Sequence, residues 1–304
     1  MMKRPFEIII AFRRMYRTFS QCLTLLLLVT VPLTCISAEE PVVIDYMVFY
    51  TPAAEVRTGG EQEMLTRINN GVATVNDALA RSGLGHISFR LVHVHRLSGN
   101  NTSTDLSTAS QEVYQLDPIL EIRDQYGADA ISILFEQISP GAYGPIPLNG
   151  GQARNSITYF GVFNYGGLTT AHELGHNMGG YHDNPTQPEP PEGTVLYGDA
   201  PYGYNFTGQD GIQYKTIMSY GIQPDPDNPV QIVSSGHYSN PDISFQGHAT
   251  GRVGYADMAS AIRYWAPIIS TTNQPVVNPV TITQPVTSPI LVPIYLLLNG
   301  SQGK

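Results

Sequence analysis

Residues 169–183 read TTAHELGHNMGGYHD, and this stretch decides how the rest of the chain is read. On a helix, positions four apart lie one turn apart on the same face. His172 and His176 can therefore present two imidazoles to one point, with Glu173 beside them. Two ligands hold a metal weakly, so a third has to come from outside the helix. Gly179 offers the positive φ at which a helix ends and the chain turns back, and His182 follows three residues later. Three neutral imidazoles bind Zn²⁺ in roughly tetrahedral geometry and leave a fourth position for water, as catalytic sites do and closed structural sites do not. Zinc lowers the pKa of such a water toward about 7, and Glu173 stands where it can act as general base in attack on a peptide carbonyl. The pattern H-E-x-x-H-x-x-G-x-x-H fixes five residue types. At about 5% usage each, its chance expectation in roughly 300 positions is on the order of 10⁻⁴.

Outward from the motif, the chain of 304 residues with 42% hydrophobic content is long enough for one substantial domain. Lys3, Arg4, Arg13, Arg14 and Arg17 precede an apolar run that closes on Cys35-Ile36-Ser37-Ala38. Residues 1–38 are expected to be a secretory signal cleaved after Ala38; a retained anchor and a lipoprotein signal at Cys35 are the rival readings. Both cysteines, Cys22 and Cys35, lie in this leader, so a mature chain from Glu39 has no disulfide and relies on its core, on metal, or on both. It would carry 11 basic against 24 acidic residues, a net of −13, which argues against nucleic acid as a partner. The acidity leaves Ca²⁺ open as a second ion, although solubility explains it equally. The product is expected outside the cell as a monomer, with no transmembrane span.

Patterning predicts a strand at 41–52, a helix at 60–83, a strand at 86–97, a helix at 110–127 broken near Pro118, and a strand at 128–137. This is the order of a sheet with crossover helices. A Gly/Pro-rich loop follows at 139–151, then an edge strand at 154–163 leading into the histidine helix. Beyond His182, NPTQPEPPEG and PDPDNP are irregular, and a last helix is expected at 255–269. The domain is thus set at 39–269, with an upper part of about 39–179 and a lower, irregular part of about 180–269. Residues 270–304 form a Pro/Thr-rich linker and a short apolar tail. His93 and His95, two apart on a strand, share a face and could form a second metal pair, but packed or surface histidines explain them more simply.

HELGHNMGGYHD resembles the metzincin clan of zinc endopeptidases, and TIMSY (216–220) is similar to that clan's Met-turn. Asp183, directly after the third histidine, is similar to the adamalysin/reprolysin branch. VVIDYMVFYTPAAEVRTGG, VNDALARSG, IRDQYGADAISILF and YSNPDIS resemble secreted bacterial reprolysin-like proteases, the peptidyl-Asp metalloendopeptidase group in particular, over about residues 42–269. The resemblance implies an α/β metzincin fold with a mixed twisted sheet, helices and a small irregular C-terminal part. It implies one catalytic Zn²⁺ on His172, His176 and His182, Glu173 as base, and a structural Met218. Tyr220 matches a position where some relatives carry a tyrosine that reaches the metal or the transition state; a packed aromatic is the alternative. Protein or peptide substrates cut before Asp would require a cation, for which Lys215, Arg154 and Arg252 are candidates. Adamalysins usually carry disulfides and a propeptide, and this chain departs from both expectations. The competing class is a zinc-containing binding protein without turnover.

Overall fold

The computed structural model describes residues 39–147, 156–183, 200–221 and 231–273. The leader, Arg154, the segments 184–199 and 222–230, and everything after 273 lie outside the described residues. Strand β1 (Val42–Tyr50) is buried from Ile44 onward, because parallel strands β2 (Ile87–Arg96) and β3 (Ala130–Phe135) flank it and helices cover both faces. A strand enclosed in this way is apolar on both faces, which is why IDYMVFY shows little alternation in polarity. Its side chains still alternate in destination. Ile44, Tyr46, Val48 and Tyr50 enter one core, Met47 and Phe49 the other.

Helices α1 (Pro52–Thr58) and α2 (Glu61–Arg81) connect β1 to β2, and α3 (Leu106–Leu116) and α4 (Ile119–Gln125) connect β2 to β3. Helix α1 is absent from the pattern-based reading, yet it is well signalled. Thr51 accepts from the Ala54 N–H at 3.2 Å, Pro52 occupies the first turn, and Gly59 ends the helix at φ +106°. Helix α3 begins earlier than expected because Asp105 caps it, accepting from the Thr108 N–H at 3.0 Å. The break at Pro118 falls where anticipated.

The sheet has five strands in the order β2-β1-β3-β5-β4. Here β5 (Ser156–Gly161) runs parallel to β3, and β4 (Ala142–Tyr143) runs antiparallel on the outside of β5. This corrects the expectation of an edge strand at 154–163. Tyr159 and Phe160 are covered by Tyr143 and Ala142, so the edge is a two-residue strand inside the stretch read as a Gly/Pro-rich loop. Two residues are too few for a hydrophobic alternation to register.

One face of the sheet packs on α2, on the histidine helix α5 (Leu168–Asn177) and on α6 (Met258–Ile269); the other packs on α3 and α4. The first core contains a satisfied chain of hydroxyls. Tyr46 bonds Ser132, Ser132 bonds Thr158, and the Tyr46 and Tyr165 hydroxyls lie 3.1 Å apart. Past the motif, β6 (Asn205–Thr207), β7 (Gln213–Lys215) and β8 (Ile232–Ser234) form a small mixed sheet, and β9 (Ser244–Phe245) pairs with β10 (His248–Ala249). At the far end Asn273 donates its backbone N–H to Asp129 Oδ1 at 3.1 Å, and its side-chain amide to the Ala128 carbonyl at 2.7 Å and Asp124 Oδ1 at 3.1 Å. Among the described residues no helix is long and apolar enough to cross a membrane.

Gly71 lies in the middle of α2, where a Cβ would sit 2.4 Å from Cε1 of the fully buried Tyr165. Alanine normally favours a helix over glycine by about 1 kcal/mol, but overpacking a filled core costs about 1–3 kcal/mol. Gly71→Ala should therefore lower the thermal midpoint by a few degrees in calorimetry. A raised midpoint would mean that Tyr165 gives way freely.

Candidate functional site

Helix α5 buries Ala171, Leu174 and the following Met178 in the first core, which fixes its rotation and turns His172 and His176 to one side. The chain leaves the helix at Gly179 (φ +86°), as a left-handed turn requires, and returns with His182. The Nδ1 atoms of His172 and His176 each meet a carbonyl, Ile217 O at 2.7 Å and Gly180 O at 2.8 Å. Since a carbonyl only accepts, the ring proton of each belongs on Nδ1 and the Nε2 lone pair is free. Those Nε2 atoms lie 3.2 Å and 3.1 Å from Nε2 of His182.

Nitrogens bound tetrahedrally at 2.0–2.1 Å to one ion stand roughly 3.3 Å apart, close to these two separations, and all three ligand atoms lie within 4.8 Å of one another. Burial lowers the pKa of all three rings, His176 to about 3 and His182 to about 4, with His172 adding repulsion in both cases. The rings are neutral at ordinary pH, the form that binds metal. Among the described residues this is the one group of three or more metal-ligating side chains so placed. His93 instead stacks on Tyr126 with ring centroids 3.6 Å apart, and burial pulls its pKa down to about 4. Packing accounts for it.

Glu173 is only 8% exposed, and burial raises its carboxyl to about 7, partly offset by a bond from the Gly144 N–H. Gly144 directly follows β4. A Cβ there would lie 2.2 Å from the Glu173 carbonyl oxygen, so the edge of the sheet comes this close to the helix only as glycine. One turn along, Asn177 donates its side-chain amide to the Pro145 carbonyl at 2.9 Å. Two side chains of α5, four residues apart, thus hold two consecutive residues of the sheet edge. Among the described residues the Asn177 Oδ1 is buried without a partner, a cost of about 1–3 kcal/mol that the rest of the contact has to offset.

Met218 is fully buried beneath the helix, and its Sδ would be 2.5 Å from a Cβ on Gly175. The turn that carries it closes through the Ser219 N–H on Thr216 O at 3.1 Å and supplies the Ile217 carbonyl that orients His172. The ring of Tyr220, 55% exposed, lies 4.2 Å from that of His182 and 5.8 Å from that of His172. Burial of its hydroxyl, with the charges of Glu173 and Asp183, raises its pKa. Asp183 is itself buried. It accepts from the Tyr220 N–H at 2.9 Å and from Asn205 Nδ2 at 3.2 Å, tying the third histidine to the turn.

Of the cations named from sequence, Lys215 is brought to this cluster, its Nζ 3.4 Å from the Tyr220 carbonyl. Arg252 lies over the Tyr255 ring, 5.5 Å from its centroid, and pairs with Ala256 through its backbone. Asn177, Gly144 and Asn205 stand outside the residues that sequence reasoning picks out. Asn177 has a usable signal, since it repeats the helix face of Glu173 one turn later, but nothing local marks the other two.

If Asn177 holds the sheet edge, Asn177→Ala should make the Tyr143 and Gly144 amides exchange with solvent about tenfold faster, while amides within α5 change little. Hydrogen exchange read by mass spectrometry or NMR checks this, and unchanged edge amides would assign the hold to Gly144 alone.

Residues 65–183 match the family model described as Metallo-peptidase family M12B Reprolysin-like. Over 214 residues the chain is 31% identical to the peptidyl-Asp metalloendopeptidase of Pseudomonas aeruginosa, covering 65% of this chain and 33% of that protein. The chain therefore spans about a third of the length of that relative. A solved chain described as "Structure of a chaperone-substrate complex" is similar with a TM-score of 0.57 at 20% identity, over 77% of this chain and 35% of that one. At that identity the likeness concerns the fold. The segment that carries the three histidines, residues 65–183, is thus similar to the reprolysin-like metallopeptidases of family M12B.

Proposed function

We propose that the chain is an exported zinc-dependent endopeptidase with His172, His176 and His182 as metal ligands and Glu173 as general base. The observation that carries this reading is the convergence of three neutral imidazoles next to one buried, proton-ready carboxyl. Zinc held there supplies Lewis acidity toward the peptide carbonyl and toward a water of lowered pKa. Glu173, with its pKa near neutrality, takes the proton of the attacking water and passes it to the leaving amine. The edge position of β4 suits an extended substrate that adds to the sheet beside Glu173. Tyr220 would donate its hydroxyl to negative charge developing on the carbonyl oxygen, a role supported by its exposed ring packing on that of His182. Met218 has a structural role.

Cleavage next to Asp is the substrate preference that the relative's name suggests. Residues 1–38 act as the cleaved export signal, 39–269 as the catalytic domain in its upper and lower parts, and 270–304 as linker and tail.

The zinc-loaded chain should cleave an unfolded protein at internal bonds, and Glu173→Gln should reduce kcat by a factor of about 10² or more without loss of zinc. Termini read by mass spectrometry decide this. Zinc bound by both with no cleavage by either would favour a binding protein on the same fold. A second outcome follows from the pKa values. At pH 6 Glu173, near 7, holds its proton until a cation arrives, whereas His176 and His182, near 3 and 4, have none to lose. Zinc uptake at pH 6 should release about one proton more from the wild type than from Glu173→Gln. Calorimetry in buffers of different ionisation enthalpy measures this, and equal release from both would place the proton elsewhere.

A further inference from the structure

Lys215 closes β7, three residues before Met218, and it is treated differently from seven arginines of the described chain. Arg81, Arg90, Arg96 and Arg123 each pair with a carboxylate, to Asp77, Asp45, Glu55 and Asp124. Arg57, Arg67 and Arg252 each lie over an aromatic ring. Lys215 does neither among the described residues. Its ammonium has three donors, and the hydrogen bond it makes is a long one, 3.4 Å to the Tyr220 carbonyl. Yet the side chain is half-buried, its stem against Gly221, where a Cβ would lie 3.4 Å from Lys215 Cδ. Burial lowers its pKa, with the charge of Asp183 acting the other way. Asp183 acts on it as a charge, its two carboxylate oxygens accepting from Tyr220 and Asn205.

A partly desolvated charge with no counter-ion among the described residues is costly to hold, and here it is held beside the proposed reaction centre. Lys215 is close enough to depress the pKa of His172. Its hydrogen-bond partner, Tyr220, carries the ring that lies 4.2 Å from His182. We propose that Lys215 is a specificity-determining residue that receives the side-chain carboxylate of the substrate residue next to the scissile bond. This rests on the endopeptidase reading and supplies the cation that an Asp preference needs. A substrate's terminal carboxylate has the same chemistry, so the test must separate the two.

The test uses the full-length zinc-loaded chain and peptides blocked at both ends, identical except for Asp, Asn or Lys directly after the expected cut. The wild type should prefer Asp to Asn, and Lys215→Met should lower the Asp:Asn ratio of kcat/KM by about tenfold or more. Lys215→Arg should restore part of the ratio, and Lys215→Glu should favour the Lys peptide over the Asp peptide. Zinc content and thermal midpoint identify variants that have simply lost their fold, and the ratio is read only on variants that keep both. An Asp:Asn ratio that survives in Lys215→Met, or is absent from the wild type, overturns the assignment and leaves the endopeptidase reading standing. A preference seen only with free C-terminal carboxylates overturns it in favour of terminal recognition. If the wild type cuts nothing, the endopeptidase reading fails, and the role of Lys215 with it.

Discussion

Three imidazole nitrogens are held within 4.8 Å of one another, and the structure around them is organised to keep them there. Two of them point lone pairs at the third, an arrangement relieved by a proton on His182 Nε2 or by a cation shared among the three. The rings stay in place because each helix histidine is anchored at its far nitrogen, His172 by the turn at 216–219 and His176 by the turn at 179–180. Each turn relies on packing. Gly175 leaves room for Met218, Gly179 for the indole of Trp265, and Gly180 for Met258; a Cβ added to these glycines would stand 2.5, 2.5 and 2.6 Å from them respectively. Metal affinity in this fold is therefore spread from the ligands through the glycines to the last helix, and binding the ion returns free energy to folding.

Much of this could be read in advance because the histidines and Glu173 are close in sequence, where helical spacing fixes their relative positions. The buried strands were legible for a similar reason, since a run such as AISILF has few other uses. What escaped the sequence depends on contacts between distant segments. The two-residue β4, the approach of Gly144 to Glu173 and the grip of Asn177 on Pro145 join residues between 16 and 32 positions apart, each with backbone atoms on at least one side, and these carry no residue identity. Helix α1 is a different miss. Thr51-Pro52 and Gly59 are standard boundary residues, but seven residues between them give too little periodicity to notice.

Among the candidate cations, composition could only count, whereas geometry discriminates. Lys215 and Arg252 look alike as isolated charges in a chain poor in them, and they separate once one is seen over a tyrosine ring and the other beside Tyr220. Asp183 shows the same limit from the acidic side. Its place after His182 hints at a role, but its use as a two-handed tie between Tyr220 and Asn205 needs the fold.

Asn273 gives the described chain a fixed point of departure, held to α4 and the loop before β3 through three hydrogen bonds to Asp124, Ala128 and Asp129. In mechanical terms it acts as a strain relief. Tension on the polypeptide beyond it is borne first by these bonds and by the central strand behind them, before reaching Trp265 and the turn it supports. Sequence after this point can lengthen, shorten or attach to something else with little force transmitted to the histidines.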